Sequence, residues 1–178
     1  MNRAVFAVSI LCVSIAAIAD IRTRKIPNWL TIPTMGLGLV LNAASSGWSG
    51  VLLSLEGLGL GFCLLFVVYL LGGMGAGDVK LLSAVGAIVG PKLVFYAFIW
   101  TALVGGLMAM ALIVSKKTFK QTFRNLKMLI LGWMLGVSSQ EANLTIRNQS
   151  LITLPYGVAI AIGTTLAVWL QKIPTWNF

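Results

Sequence analysis

In this chain of 178 residues, 58% are hydrophobic and 10% charged, and several apolar runs approach the ~20 residues that cross a bilayer. That excludes a soluble domain and predicts an all-α integral membrane protein, read as one domain over residues 1–178. Basic residues outnumber acidic ones 13 to 4, but their placement argues against nucleic acid as a partner. Arg22, Arg24, Lys25, Lys80, Lys116, Lys117, Lys120, Arg124, Lys127 and Arg147 fall in segments that one topology puts on a single side, leaving Arg3, Lys92 and Lys172 on the other. The richer side is then cytoplasmic.

The first apolar run predicts a helix over residues 3–19. Asp20 and Arg22-Thr23-Arg24-Lys25 follow it where a signal peptide would carry a small-residue cleavage site, so the helix is retained. Ile26-Pro27-Asn28 is a turn, because the proline ring disfavours a continuous helix there. A second helix over 29–44 leads to a short uncharged turn, 45–50, with Trp48 at the membrane interface. The third helix, 51–71, carries Glu56 within reach of that interface.

The glycine-rich run Gly72-Gly73-Met74-Gly75-Ala76-Gly77 then breaks the pattern before a short fourth helix over 78–91. At 1.5 Å per residue this helix measures about 21 Å against a hydrocarbon core of ~30 Å. Asp78 therefore lies below the cytoplasmic surface, or the bilayer thins around it. A fifth helix covers 93–114. Beyond it Phe119, Phe123, Leu126 and Ile130 recur at helical spacing opposite the basic residues, the pattern of a helix lying on the anionic headgroups of the cytoplasmic leaflet. Residues 129–137 are apolar but too short to span, and 138–150 form a polar loop. A sixth helix over 151–170 contains Pro155-Tyr156-Gly157 near its cytoplasmic end. The expected architecture is a bundle of six transmembrane helices with a cytoplasmic-surface amphipathic helix and both termini outside.

The chain has no histidine, and Cys12 and Cys63 sit in apolar runs as small packing residues. A metal centre and a conventional catalytic triad lack their ligands and base, and the glycine-rich run lacks the Lys-Ser/Thr continuation of a phosphate loop. No cofactor is expected. Ionisable groups at membrane depth are costly and mark function, which leaves Asp20 and Asp78, both at cytoplasmic helix ends. Two nearby carboxylates cannot easily both ionise, so one acts as base and the other as acid. Such a pair can activate water, protonate a leaving amine and hydrolyse a peptide bond without metal.

Around the pair, Gly75 and Gly77 allow a backbone or an extended substrate to approach, or serve close helix packing. Lys80 lies about 200° round the helix from Asp78 and points to headgroups in preference to substrate. Arg22, Arg24 and Lys25 set topology or hold the substrate's polar segment, and Pro155 kinks the last helix. Two other readings compete: a small proton- or cation-coupled transporter using Asp20 and Asp78, and an assembly subunit without catalysis.

Asp20 with Arg24-Lys25-Ile26-Pro27-Asn28, then Gly72-Gly73-Met74-Gly75-Ala76-Gly77-Asp78-Val79-Lys80-Leu81, then Leu154-Pro155-Tyr156-Gly157 together resemble the type IV prepilin peptidases. These are intramembrane aspartic proteases with a Gly-x-Gly-Asp signature. The resemblance implies that Asp20 and Asp78 are catalytic. It also implies that Gly75, Gly77, Lys80, Arg24, Pro27, Asn28, Pro155 and Tyr156 shape the site or bind substrate, without metal or cofactor. It further implies prepilin or pilin-like precursors as partners, in a bacterial inner membrane with the site toward the cytoplasm. Larger members carry an N-terminal cytoplasmic insertion with paired cysteines and N-methylate the trimmed pilin. This chain looks like the minimal form associated with tight-adherence, Flp-type pili, for which methyltransferase activity is not expected.

Overall fold

A computed structural model of the chain describes residues 3–71, 73–115 and 155–171. The expected amphipathic surface helix, residues 129–137, the polar loop and the start of the sixth helix at 151–154 lie outside these. The described residues form four helices and their connections: α1 (Arg3–Thr23), α2 (Asn28–Leu70), α3 (Ala76–Ser115) and α4 (Tyr156–Leu170). The first three are long and apolar enough to cross a bilayer, and α4 is apolar and shorter. Each exposes large apolar side chains, such as Leu11, Val40, Leu103 and Trp169, a surface suited to lipid and not to water. Residues 1–105 with 155–178 form one compact unit, which holds everything described below; 106–154 form a second.

α1 runs four residues beyond its expected end at 19. Its buried stripe is Val5, Ser9, Cys12, Val13, Ala16 and Asp20, spaced three and four apart along one helix face. Asp20 therefore continues the core stripe inside the helix instead of following it. The helix stops at Arg24, whose φ of 53° is left-handed, after its N–H donates to the Asp20 carbonyl at 2.8 Å. Pro27 caps α2 in an extended conformation, as the expected turn requires.

Within α2 the expected six-residue turn contracts to one residue, Gly47 (φ 59°, ψ −134°), a conformation open in practice to glycine. The arms 28–46 and 48–70 then lie side by side, since Asn42 Nδ2 donates to Ser54 Oγ at 2.8 Å. Glycine breaks α3 in the same way. Gly90 (φ 81°, ψ 176°) separates 76–89 from an arm opening on Pro91, a residue whose fixed φ suits the first turn of a helix. The expected fourth helix, 78–91, is thus shifted two residues toward the N-terminus.

The short arm 76–89 is the centre of the unit, with Leu81, Leu82, Ser83, Ala84, Val85, Ala87 and Ile88 all buried. Apolar faces gain little from leaving lipid for one another, so close approach of backbones has to hold such helices together. Gly57 and Gly86 meet so closely that a Cβ on either overlaps the other's carbonyl, and a Cβ on Gly61 would lie 2.6 Å from the Leu82 carbonyl oxygen. Of the two cysteines, Cys12 packs in the core, whereas Cys63 is exposed and corrects the expectation that it packs between helices. The buried residues of its arm are Gly50, Ser54, Gly57, Gly61 and Leu65, and position 63 lies on the opposite side of that stripe.

The break at Gly90 and Pro91 leaves the Ala87 carbonyl without its N–H partner four residues on. Asn42 Nδ2 lies 3.1 Å from both the Ala87 and the Ile88 carbonyl oxygens, and Ser54 Oγ lies 2.7 Å from that of Ala87. Buried carbonyls need such donors most where no water reaches. Asn42→Ala is expected to cost about 1–3 kcal/mol in thermal unfolding of the detergent-solubilised protein; an unchanged melting temperature would remove Asn42 from this role.

Candidate active site

Asp20 and Asp78 reach one cavity from opposite ends of their helices. Asp20 lies in the last turn of α1 and is 6% exposed, and Asp78 in the first turn of α3 is 9% exposed. The cavity, about 280 Å³, is lined by Asp20, Arg24, Lys25, Ile26, Gly75, Ala76, Gly77 and Asp78. At roughly 30 Å³ per molecule in the liquid, it has room for several waters or a short stretch of extended backbone.

Each carboxylate is held through Oδ2 by a glycine N–H. Gly75, the residue before α3, donates to Asp78 Oδ2 at 3.1 Å, while the Asp78 N–H donates back to the Gly75 carbonyl at 3.1 Å. The side chain thus supplies the half of a capping box that reaches back from the third helical residue, and an acid in a first turn also suits the helix dipole. Asp20 has no such local arrangement. Its Oδ2 accepts the N–H of Gly157, in the first turn of α4, at 2.7 Å in a buried bond. Two basic side chains share the space with the two carboxyl groups, since Arg24 and Lys25 also line the cavity. The left-handed Arg24 is the sole non-glycine residue with positive φ among those described, and this costly backbone lies at the cavity wall, where such strain tends to collect.

Of the ten residues singled out from the sequence, Asp20, Asp78, Gly75, Gly77 and Arg24 line the cavity, whereas Pro27, Asn28, Lys80, Pro155 and Tyr156 do not. Lys80 Nζ donates to Asn28 Oδ1 at 2.9 Å. It therefore ties α3 to the start of α2, a contact that the expected reach toward headgroups did not include. Pro155 stands at the N-cap of α4, with φ −73° and ψ 81°, and the part of the expected sixth helix before it lies outside the described residues. Tyr156 packs toward Gly105, whose added Cβ would lie 3.7 Å from the ring. The two glycines also divide their roles. A Cβ at Gly77 would lie 3.1 Å from Ile26 Cβ, so Gly77 lets the turn after α1 pack on α3, while at Gly75 a Cβ would make ordinary contact at 3.5 Å with Asp78 Oδ2.

Ile26, Ala76 and Gly157 stand in the motifs that carry the resemblance, but the sequence assigned them no role at the site. Gly157 stands beside two residues that were singled out, yet only its distance to Asp20 identifies it.

Residues 7–110 match the sequence model of a family described as the type IV leader peptidase family, a stretch that contains Asp20 and Asp78 but not α4. Among curated proteins, the chain is 35% identical over 102 residues to prepilin peptidase EppA of Methanothermobacter thermautotrophicus, covering 53% of this chain and 26% of that one. It is 31% identical over 112 residues to the prepilin leader peptidase/N-methyltransferase of Bacillus subtilis, covering 60% of this chain and 44% of that one. The match thus spans less than half the length of either relative. No solved structure matches the chain.

Proposed function

The chain belongs to the type IV leader peptidase family, and from that premise we propose that it is an intramembrane aspartic endopeptidase with Asp20 and Asp78 as its catalytic pair. It removes the leader peptide from prepilins and pilin-like precursors of the Flp type, at the cytoplasmic face of a bacterial inner membrane that its six helical segments cross. The observation that carries this reading is the pair of buried carboxylates, from different helices, lining one cavity.

In the proposed reaction one carboxylate takes a proton from water as the water oxygen bonds to the scissile carbonyl carbon. The other, protonated, gives its proton to the amide nitrogen as the C–N bond breaks, leaving a new carboxyl end and a new amine. A glycine N–H holds Oδ2 of each aspartate, which fixes the carboxyl group while leaving Oδ1 without that bond and available for proton transfer. Arg24 and Lys25 hold the polar segment of the substrate beside the pair, and Gly75 leaves room for its backbone. The Lys80–Asn28 bond ties the start of α2, which follows Pro27, to α3 beside the cavity, while Pro155 and Tyr156 set the start of α4. A proton- or cation-transport role is the second reading, but it would more naturally hold its carboxylates near mid-membrane, whereas these two occupy end turns.

Co-expression with a Flp-type prepilin, followed by gel mobility and N-terminal sequencing, tests the reading. A mature N-terminus released by the wild type and unmethylated by mass is expected; an uncut precursor would count against it. Orientation has its own check. Single cysteines at Thr23 and Ser46, both exposed, in a background lacking Cys12 and Cys63, should label from the cytoplasm and from outside respectively. Labelling of Thr23 only from outside would move the chemistry to the wrong side.

A further inference from the structure

Asp78 is positioned by its own loop, through a glycine three residues earlier. Asp20 is positioned by a residue 137 positions away, and this asymmetry gives α4 a task. Pro155 caps α4, so Tyr156 and Gly157 are its first two residues, and N–H groups there have no partner inside the helix. The one on Gly157 is spent on Asp20. Glycine is needed at the same point for space: a Cβ on Gly157 would lie 2.9 Å from both Cβ and Oδ2 of Asp20 and 3.1 Å from its Cγ. The neighbour that would have to yield is the short, buried side chain of Asp20 itself, anchored on α1.

We propose that Gly157 is a positioning residue for the catalytic pair: its N–H holds Oδ2 of Asp20, and its lack of a side chain lets the carboxylate occupy the position from which it meets the cavity. α4 is then part of the catalytic machinery, although it lies beyond the residues that match the family model. This rests on the peptidase reading for its consequence in catalysis, and on geometry alone for its consequence at Asp20.

The test pairs a kinetic measurement with one that needs no substrate. In detergent-solubilised full-length protein acting on a leader-bearing Flp-type precursor, Gly157→Ala should lower kcat about a hundredfold, the scale of a general acid–base contribution, with KM within a few-fold of wild type. In the absence of substrate, modification with a water-soluble carbodiimide and glycine ethyl ester, read by peptide mass spectrometry, should rise several-fold at Asp20 and stay unchanged at Asp78. Wild-type kcat together with wild-type labelling at Asp20 would overturn the proposal. If the wild type cleaves nothing, the peptidase reading fails while the labelling still decides whether Gly157 holds Asp20.

Should Gly157→Ala not accumulate, the bond is read from the other partner. Asp20→Asn keeps an acceptor for the Gly157 N–H and Asp20→Ala does not. The alanine variant should melt several degrees below the asparagine variant, and equal melting temperatures would overturn the proposal.

Discussion

Asp20→Asn and Asp78→Asn are each expected to reduce leader-peptide cleavage about a thousandfold or more, with both variants accumulating in the membrane at close to wild-type levels. Each substitution removes one member of an acid–base pair whose separate contributions run to about 10²–10⁴. Because the two carboxyl groups act in a single proton circuit, the double variant should be no slower than either single one. Folding is spared for a local reason. An asparagine carbonyl oxygen can still accept the Gly157 N–H at position 20 and the Gly75 N–H at position 78, the two bonds that hold these side chains. Gel mobility and N-terminal sequencing of a co-expressed precursor measure the loss. Normal processing by either variant would remove that aspartate from the mechanism.

The second large effect falls where no chemistry takes place. Gly57 and Gly86 face each other between the second arm of α2 and the central arm of α3, and a Cβ on either overlaps the carbonyl of the other. Because backbone stands on both sides of that contact, no rotamer change relieves it, and the two arms must move apart. Gly86→Val is expected to abolish accumulation of folded protein. Gly86→Ala and Gly57→Ala should each destabilise by about 1–3 kcal/mol, the usual cost of overpacking. The double alanine variant should cost less than the sum of the two, since the arms need to separate only once. Thermal unfolding in detergent reads all three values. A Gly86→Ala variant melting with the wild type would show that the arms do not approach as described.

Much of this arrangement was legible before any coordinate. Apolar run lengths indicated a helical membrane protein, and the expected change of helix after residue 91 lies beside the break that the backbone makes at Gly90. Boundaries were harder, for identifiable reasons. At the end of α1, polar residues suggested a stop at residue 19, but the step of four from Ala16 to Asp20 keeps the aspartate on the buried face, and position on the helix outweighed polarity. At Gly47 a run of serines and glycines suggested a loop. The serines stay helical instead, Ser45 Oγ donating to the Leu41 carbonyl at 2.8 Å, so one glycine suffices for the reversal.

The same division runs through the site. Asp78 and the group that holds it lie three residues apart, so a local turn decides their geometry, and the glycine-rich motif already contained both. The sequence alone also determined which residue types stand near helix ends, because these follow from the lengths of the apolar runs and the residues that interrupt them. It did not determine the neighbour of each face, since many apolar faces fit a given apolar face about equally well. Only the tertiary structure decided that Gly57 meets Gly86, that Asn42 reaches the Ala87 and Ile88 carbonyls, and that Asp20 closes on Gly157. Each of these contacts joins distant parts of the chain through a backbone group, and backbone N–H and C=O groups are the same at every residue. No side-chain code announces them, so packing had to bring the partners together before their chemistry could be read.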